Sequence, residues 1–121
     1  MCKFKKYENT LKGKFRKYKM RGKTKGIEFE LTFQEVDKLI TGKCHYCLKS
    51  ANPFQGIDRR DNDKGYVKSN CVGCCSDCNY AKRSMTESKF KSYLERVTIS
   101  QIIKRPSLRK KIRKLLKEYG E

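Results

Sequence analysis

Four cysteines stand in two pairs spaced as metal knuckles: Cys44-His-Tyr-Cys47 and Cys75-Ser-Asp-Cys78. Two intervening residues let both thiolates of a pair reach one tetrahedral ion at about 2.3 Å, while amides of the turn soften their charge. Residues 48–74 separate the pairs, which is longer than the usual zinc-ribbon spacing. The pattern therefore predicts a substantial loop clamped at its base by one structural Zn2+ per chain. The second pair has a rival, because Cys71-Val-Gly-Cys74 is itself a Cys-x-x-Cys. Cys75 and Cys78 are preferred, since Cys78 opens the helix-like run Cys78-Asn-Tyr-Ala-Lys82, which can fix the direction of its thiolate. Cys2 reads as free. His45 could substitute as a ligand, but its place inside the first knuckle favours a surface or phosphate-contacting role.

The clamped loop holds Gly56-Ile-Asp-Arg-Arg-Asp-Asn-Asp-Lys-Gly-Tyr66 and then Asn70. Ile57 and Asp58 read as the end of a strand, Asn62-Asp-Lys-Gly65 as the turn, and Tyr66 and Val67 as the start of a return strand. Ser76 or Asp77 then opens a short helix. The combination of Cys-x-x-Cys, an Ile-Asp strand end, Gly-Tyr, a mid-loop Asn and Cys-x-x-Cys-Asn-x-x-Lys resembles the HNH endonuclease family. The match covers residues 44–86, roughly a third of the chain, and a looser likeness to phage-type members reaches back through residues 25–33.

The resemblance implies an α+β fold: a ββα-metal (His-Me finger) core with a structural four-cysteine zinc site, flanked by basic helices. Charge divides the chain into three zones, and with the resemblance they read as a basic N-terminal arm (1–26), a nuclease core (27–98, with knuckles and ββα motif at 43–85) and a basic C-terminal helix (99–121). Asp58 looks like the carboxylate that binds a catalytic metal, and Asn79 like the final His/Asn that supplies a second, neutral ligand. An oxygen-rich site of this kind suits Mg2+ or Mn2+. Asn70 resembles the middle Asn that braces the loop, and Lys82, one turn after Asn79, would face the phosphate. One departure matters: the usual general-base His is replaced by Arg59, whose guanidinium keeps its proton and can only grip phosphate. A restriction- and phage-type branch shares this Asp-Arg followed by Gly-Tyr, and there the tyrosine is thought to activate water or attack. That implies a role for Tyr66; the alternatives are a packing aromatic at Tyr66 and a base at His45.

The elements that must position these residues are also legible. In residues 1–26, eleven Lys/Arg face a single acid, Glu8, and Phe4, Tyr7, Leu11, Phe15 and Tyr18 recur at helical spacing. That stripe reads as core more readily than as a base-stacking platform. Residues 21–26 read as a flexible basic loop, and 27–31 alternate as a short strand would. Thr32-Phe-Gln-Glu35 is a capping box opening a helix with Phe33, Val36, Leu39 and Ile40 on its apolar face, ended by Gly42. Thr86 caps a helix with Phe90, Tyr93, Leu94 and Val97 on one side. Pro106 breaks the chain, and Ser107 starts a last amphipathic helix bearing Leu108, Ile112, Leu115, Leu116 and Tyr119.

Composition points to the partner. Of 121 residues, 31 are Lys or Arg against 13 Asp or Glu, a formal charge of +18. Self-repulsion of that size favours a polyanion as partner. Double-stranded DNA is the expected one, bound through Lys82, Arg83, Arg60, Lys23, Lys25, Arg109, Lys110 and Arg113 by a monomer or a homodimer. No apolar run reaches membrane-spanning length, and no signal-peptide stretch opens the chain, so the reading is intracellular, cytoplasmic or nuclear. Seven cysteines in a reducing compartment argue for metal rather than disulfides. The expected activity is one-metal hydrolysis of DNA phosphodiester bonds, leaving 5′-phosphate and 3′-hydroxyl ends. The rival readings are a catalytically inactive zinc module that only binds DNA, and an RNA-binding or ribosome-associated zinc protein.

Overall fold

In the first of two helices that precede the loop, Thr10 accepts the Gly13 N–H at 3.1 Å and so caps α1 (Leu11–Lys25). This computed structural model describes residues 9–120, so Cys2, Phe4 and Tyr7 lie outside the described residues. Within them, Leu11 and Phe15 pack against the core and Tyr18 lies in it, as a core stripe requires. The expected basic loop at 21–26 is instead the last turn of α1. The reason is Gly26, which takes a left-handed φ of 64° and donates to the carbonyls of Gly22 and Lys23. Ile27 N–H closes the cap on Gly22 O at 2.7 Å. Gly22 is a contact glycine rather than a breaker: a Cβ there would lie 3.0 Å from Ile27 O and 3.3 Å from Phe29 Cβ.

Residues 27–31 are extended but make, among the described residues, a single parallel bridge, Phe29 to Tyr66. Around it, Glu30 N–H donates to Tyr66 O at 2.9 Å and Tyr66 N–H to Glu28 O at 2.8 Å. Helix α2 (Phe33–Thr41) opens on the reciprocal capping box, with Thr32 N–H to Glu35 Oε1 at 2.9 Å and Glu35 N–H to Thr32 Oγ1 at 3.1 Å. It ends at Gly42 and buries Val36 and Ile40.

Strands β1 (Gly56–Arg59) and β2 (Cys71–Cys74) pair antiparallel, Gly56 opposite Cys74 and Arg59 opposite Cys71. The return strand thus begins at Cys71, five residues later than Tyr66, where the sequence predicted it. Tyr66 is drawn instead toward Phe29 and Tyr18, its ring 5.8 and 6.0 Å from theirs, and a short 3-10 turn (Lys68–Asn70) precedes β2. Helix α3 (Ser76–Lys82) follows β2 directly, capped by Cys75. The core is Tyr18, Leu31, Val36, Ile40, Ile57, Tyr66 and Cys71.

The chain divides into two compact units, Met1–Thr86 and Glu87–Glu121. The second holds α4 (Glu87–Lys104), continuous through residues 98 and 99, and α5 (Leu108–Tyr119), with Pro106 between them. Mixed helix and strand, with five α-helices and one two-stranded sheet among the described residues, is therefore the architecture. Among the described residues, no helix is long and apolar enough to cross a membrane.

Candidate functional site

The first knuckle is a tight turn whose backbone closes on itself. Cys44 N–H donates to Lys49 O at 2.8 Å, Leu48 N–H returns to Cys44 O at 3.0 Å, and Leu48 takes a φ of 65° to allow it. His45 N–H to Gly73 O, 2.8 Å, stitches the turn to β2, just before the second knuckle. Consequently the thiol sulfurs of Cys44, Cys47, Cys75 and Cys78 all lie within 4.8 Å of one another. Cys47 Sγ and Cys75 Sγ are 3.7 Å apart. The edge of a tetrahedron with metal–sulfur bonds of 2.3 Å is about 3.8 Å, so the cluster has the size a zinc ion requires.

Its electrostatics fit a cation as well. Burial pushes the Cys44 thiol up, but hydrogen bonds from the backbone at Cys75, Cys47 and Tyr46 outweigh it and lower the group to about 6. Burial raises the Cys47 and Cys78 thiols, and neighbouring thiols add to the rise. One thiolate is thus easily formed and its neighbours resist joining it, a conflict that a divalent ion at the centre removes. Cys71 and Cys74 stay outside. Cys71 is in the hydrophobic core, where burial raises its thiol to about 11, and Cys74 Sγ donates to Cys75 O at 3.4 Å. The four cysteines of the preferred pairing can therefore hold a metal ion such as zinc.

Beyond the cluster, α3 lies along β1. Lys82, at its last residue, is 0% exposed and places Nζ 3.2 Å from Asp58 Oδ1 and 3.1 Å from Arg59 O. Asp58 is 4% exposed, and its second oxygen, Oδ2, accepts the Tyr46 hydroxyl at 2.7 Å. Both oxygens of the expected metal ligand thus already have partners, and Lys82 is turned inward rather than toward a phosphate. The carboxylate is nonetheless built to hold a cation, here an ammonium. A divalent ion at Asp58 would compete with Lys82 for Oδ1.

Arg59 and Tyr66 serve the loop. The Arg59 guanidinium donates to the carbonyls of Asn62 and Lys64 at 2.9 and 3.0 Å and lies 5.4 Å from the centre of the Tyr66 ring. Tyr66 is buried among core aromatics. Asn70 spans the loop: its side chain accepts Asp61 N–H and donates to Asp61 O and Gly65 O, all at 3.0 Å. Gly65 approaches Glu28 so closely that a Cβ would fall 2.6 Å from its carbonyl oxygen, which explains the glycine before Tyr66.

Asn79 is exposed and lines a cleft with Gly56, Lys14, Lys17, Arg21 and Lys49; Asp58 does not line it. Arg60, Lys23, Lys25 and Arg83 are exposed in the first unit, Arg83 stacking 5.1 Å over Tyr80. Arg109, Lys110 and Arg113 are exposed on α5. Sequence reasoning missed Tyr46 as the partner of Asp58, and Tyr18, whose hydroxyl accepts Ile57 N–H at 3.2 Å and anchors β1 to α1. For Tyr46 the one available signal was a phenol inside a metal knuckle. The four cleft cations were legible only as part of a diffuse basic excess.

An uncharacterized protein of Acanthamoeba polyphaga mimivirus is 41% identical over 85 residues, which are 69% of this chain. The chain spans 16% of that protein's length. No protein-family model and no solved structure matches the chain.

Proposed function

We propose that this chain is a zinc-stapled endonuclease module of the HNH, ββα-metal type, hydrolysing phosphodiester bonds of double-stranded DNA with the help of Mg2+ or Mn2+. The observation that carries the reading is a buried carboxylate at the end of β1, Asp58, facing the helix that leaves the thiol cluster. Zinc held by Cys44, Cys47, Cys75 and Cys78 would fix the root of α3 relative to β1. In this reading Asp58 would take a catalytic ion in place of the Lys82 ammonium, with Asn79 as the second oxygen donor, and the ion would supply Lewis-acid chemistry at the phosphate. Arg59 lends charge beside Tyr66, and Asn70 keeps the intervening loop rigid. In this reading water is the attacking group, positioned by Tyr66 or His45, and the products carry 5′-phosphate and 3′-hydroxyl ends.

A second reading, a zinc-stabilised nucleic-acid-binding module without catalysis, is favoured by the closed Asp58–Lys82 pair. Nicking of supercoiled DNA by the zinc-loaded chain with added Mg2+ or Mn2+ separates the two. Because removing Asp58 alone would strand a buried ammonium, the informative variant is Asp58→Asn with Lys82→Met, which leaves no unpaired charge. It is expected to keep zinc and lose nicking. Nicking at the parent rate would remove Asp58 from the chemistry. Tyr66→Phe tests the phenol in the same assay, and an unchanged rate would leave that ring to packing.

A further inference from the structure

A cleft of about 520 Å3 opens between α1, the loop after the first knuckle and the start of α3. That volume lies within the size range of ligand sites, roughly 300–1,000 Å3. Lys14, Lys17 and Arg21 enter it from α1 and Lys49 from the loop, and no Asp or Glu among the described residues lines it. No ion pair among the described residues takes up any of these four cations. The three on α1 stand seven positions apart from first to last, on one helical face, in a row about 10.5 Å long at 1.5 Å per residue. Successive phosphates of one DNA strand are separated by more than the axial rise of about 3.4 Å, and a row of this length can meet two or more of them rather than one isolated phosphate.

The competing explanation is local compensation, since Cys75 also lines the cleft and zinc with four thiolates is doubly negative. Four cations exceed that charge, and compensation gives no reason for a row along α1 with a fourth cation on the facing wall. Tyr18 and Phe54 supply apolar wall between the charges, and Asn79 a neutral hydrogen-bonding group.

We infer that this cleft seats the sugar–phosphate backbone of one DNA strand, with Lys14, Lys17, Arg21 and Lys49 as its phosphate contacts. This rests on the nucleic-acid part of the function proposed above and not on cleavage. A strand seated here runs past Asn79, the residue the nuclease reading pairs with Asp58.

The test is equilibrium binding of a short labelled DNA duplex to the full, zinc-loaded chain without added divalent ion, repeated across a salt series. Each lost phosphate contact should flatten the log-affinity against log-salt slope by about 0.9. Lys17→Gln with Lys49→Gln, both exposed and so harmless to packing, should flatten it by about 1.8 and weaken binding about tenfold or more. Adding Lys14→Gln and Arg21→Gln should bring the change to about 3.6. An unchanged slope in both variants overturns the inference, as does loss of zinc with DNA affinity intact, the signature of compensation. Preferential binding of single-stranded RNA, lost in the same variants, would overturn the DNA assignment. A chain with these slopes that never nicks DNA keeps the cleft and loses the nuclease, whereas nicking with unaltered slopes does the reverse.

Discussion

The two units of this chain treat their apolar side chains in opposite ways. Residues 9–86 bury Tyr18, Leu31, Val36, Ile40, Ile57, Tyr66 and Val72, and bring four thiols together besides. In residues 87–120 only Phe90 is buried, while Tyr93, Val97, Ile99, Ile103, Leu115, Leu116 and Tyr119 are exposed. The first unit is held by partners distant in sequence, such as Tyr18 with Ile57 and Lys82 with Asp58. Local terms dominate the second: helical hydrogen bonds and pairs such as Lys91 with Glu87 at 2.9 Å, four residues apart. A small body with few core residues gains most from a staple, because metal binding adds directly to folding energy. Two helices by themselves gain nothing comparable.

Withholding zinc from the four-thiol cluster is the strongest way to break that comparison. Structural zinc sites contribute roughly 10–16 kcal/mol of apparent binding energy, so chelation should abolish amide hydrogen-exchange protection across residues 44–82. Protection in α4 and α5 should stay as it was. Equal loss in both units would erase the distinction, and retained protection in the first would remove the cluster's structural role.

The next effect belongs to the buried pair. Lys82→Met leaves Asp58 without its ammonium and should cost about 3–5 kcal/mol in denaturant unfolding, while Asp58→Asn added to it should restore most of the loss. Failure of the second change to rescue the first would mean that Lys82 matters for its packing and not for its charge.

Core truncation sharpens the contrast further. Ile40→Ala, at a fully buried position in α2, should cost about 2–5 kcal/mol. The parallel change Leu116→Ala, exposed in α5, should stay within about 0.5 kcal/mol. Comparable losses would show that α5 is covered in solution.

The smallest effect is at the α2 capping box, where Thr32→Ala should cost about 1 kcal/mol by the same unfolding measurement. The box should also respond to pH through Glu35. Hydrogen bonds with the Thr32 backbone and then its hydroxyl hold the Glu35 carboxyl below its ordinary value. Its contribution is therefore complete above the ordinary carboxylate range and fades as pH falls through the lowered value. A cap unaffected by acid would argue against the Glu35 half of the box.

Local signals are legible where the chemistry is local. The capping box at Thr32, the helix stop at Gly42 and the Pro106 break each depend on neighbours within a few residues, and each is present. The expectation of a loop at 21–26 fails because a pair of glycines resembles a break. Only the approach of Ile27 and Phe29 shows Gly22 to be a contact and Gly26 a cap. The expected return strand comes too early because Gly-Tyr looks like a strand start, whereas the aromatic partners of Tyr66 come from residues 18 and 29.

Sequence alone narrowed the candidate metal cluster to Cys44 and Cys47 with one of two Cys-x-x-Cys pairs, and it determined the basic character of the chain; the fold brought Cys75 and Cys78, not Cys71 and Cys74, to the first pair. Tertiary structure decided which way the charges point. Lys82 and Lys49 are the same residue type in the same basic chain, yet one is sealed against Asp58 and the other opens on the cleft. The path of the backbone sets that difference: it brings the end of α3 over β1 and leaves the knuckle loop facing α1, a placement that no spacing within either segment contains.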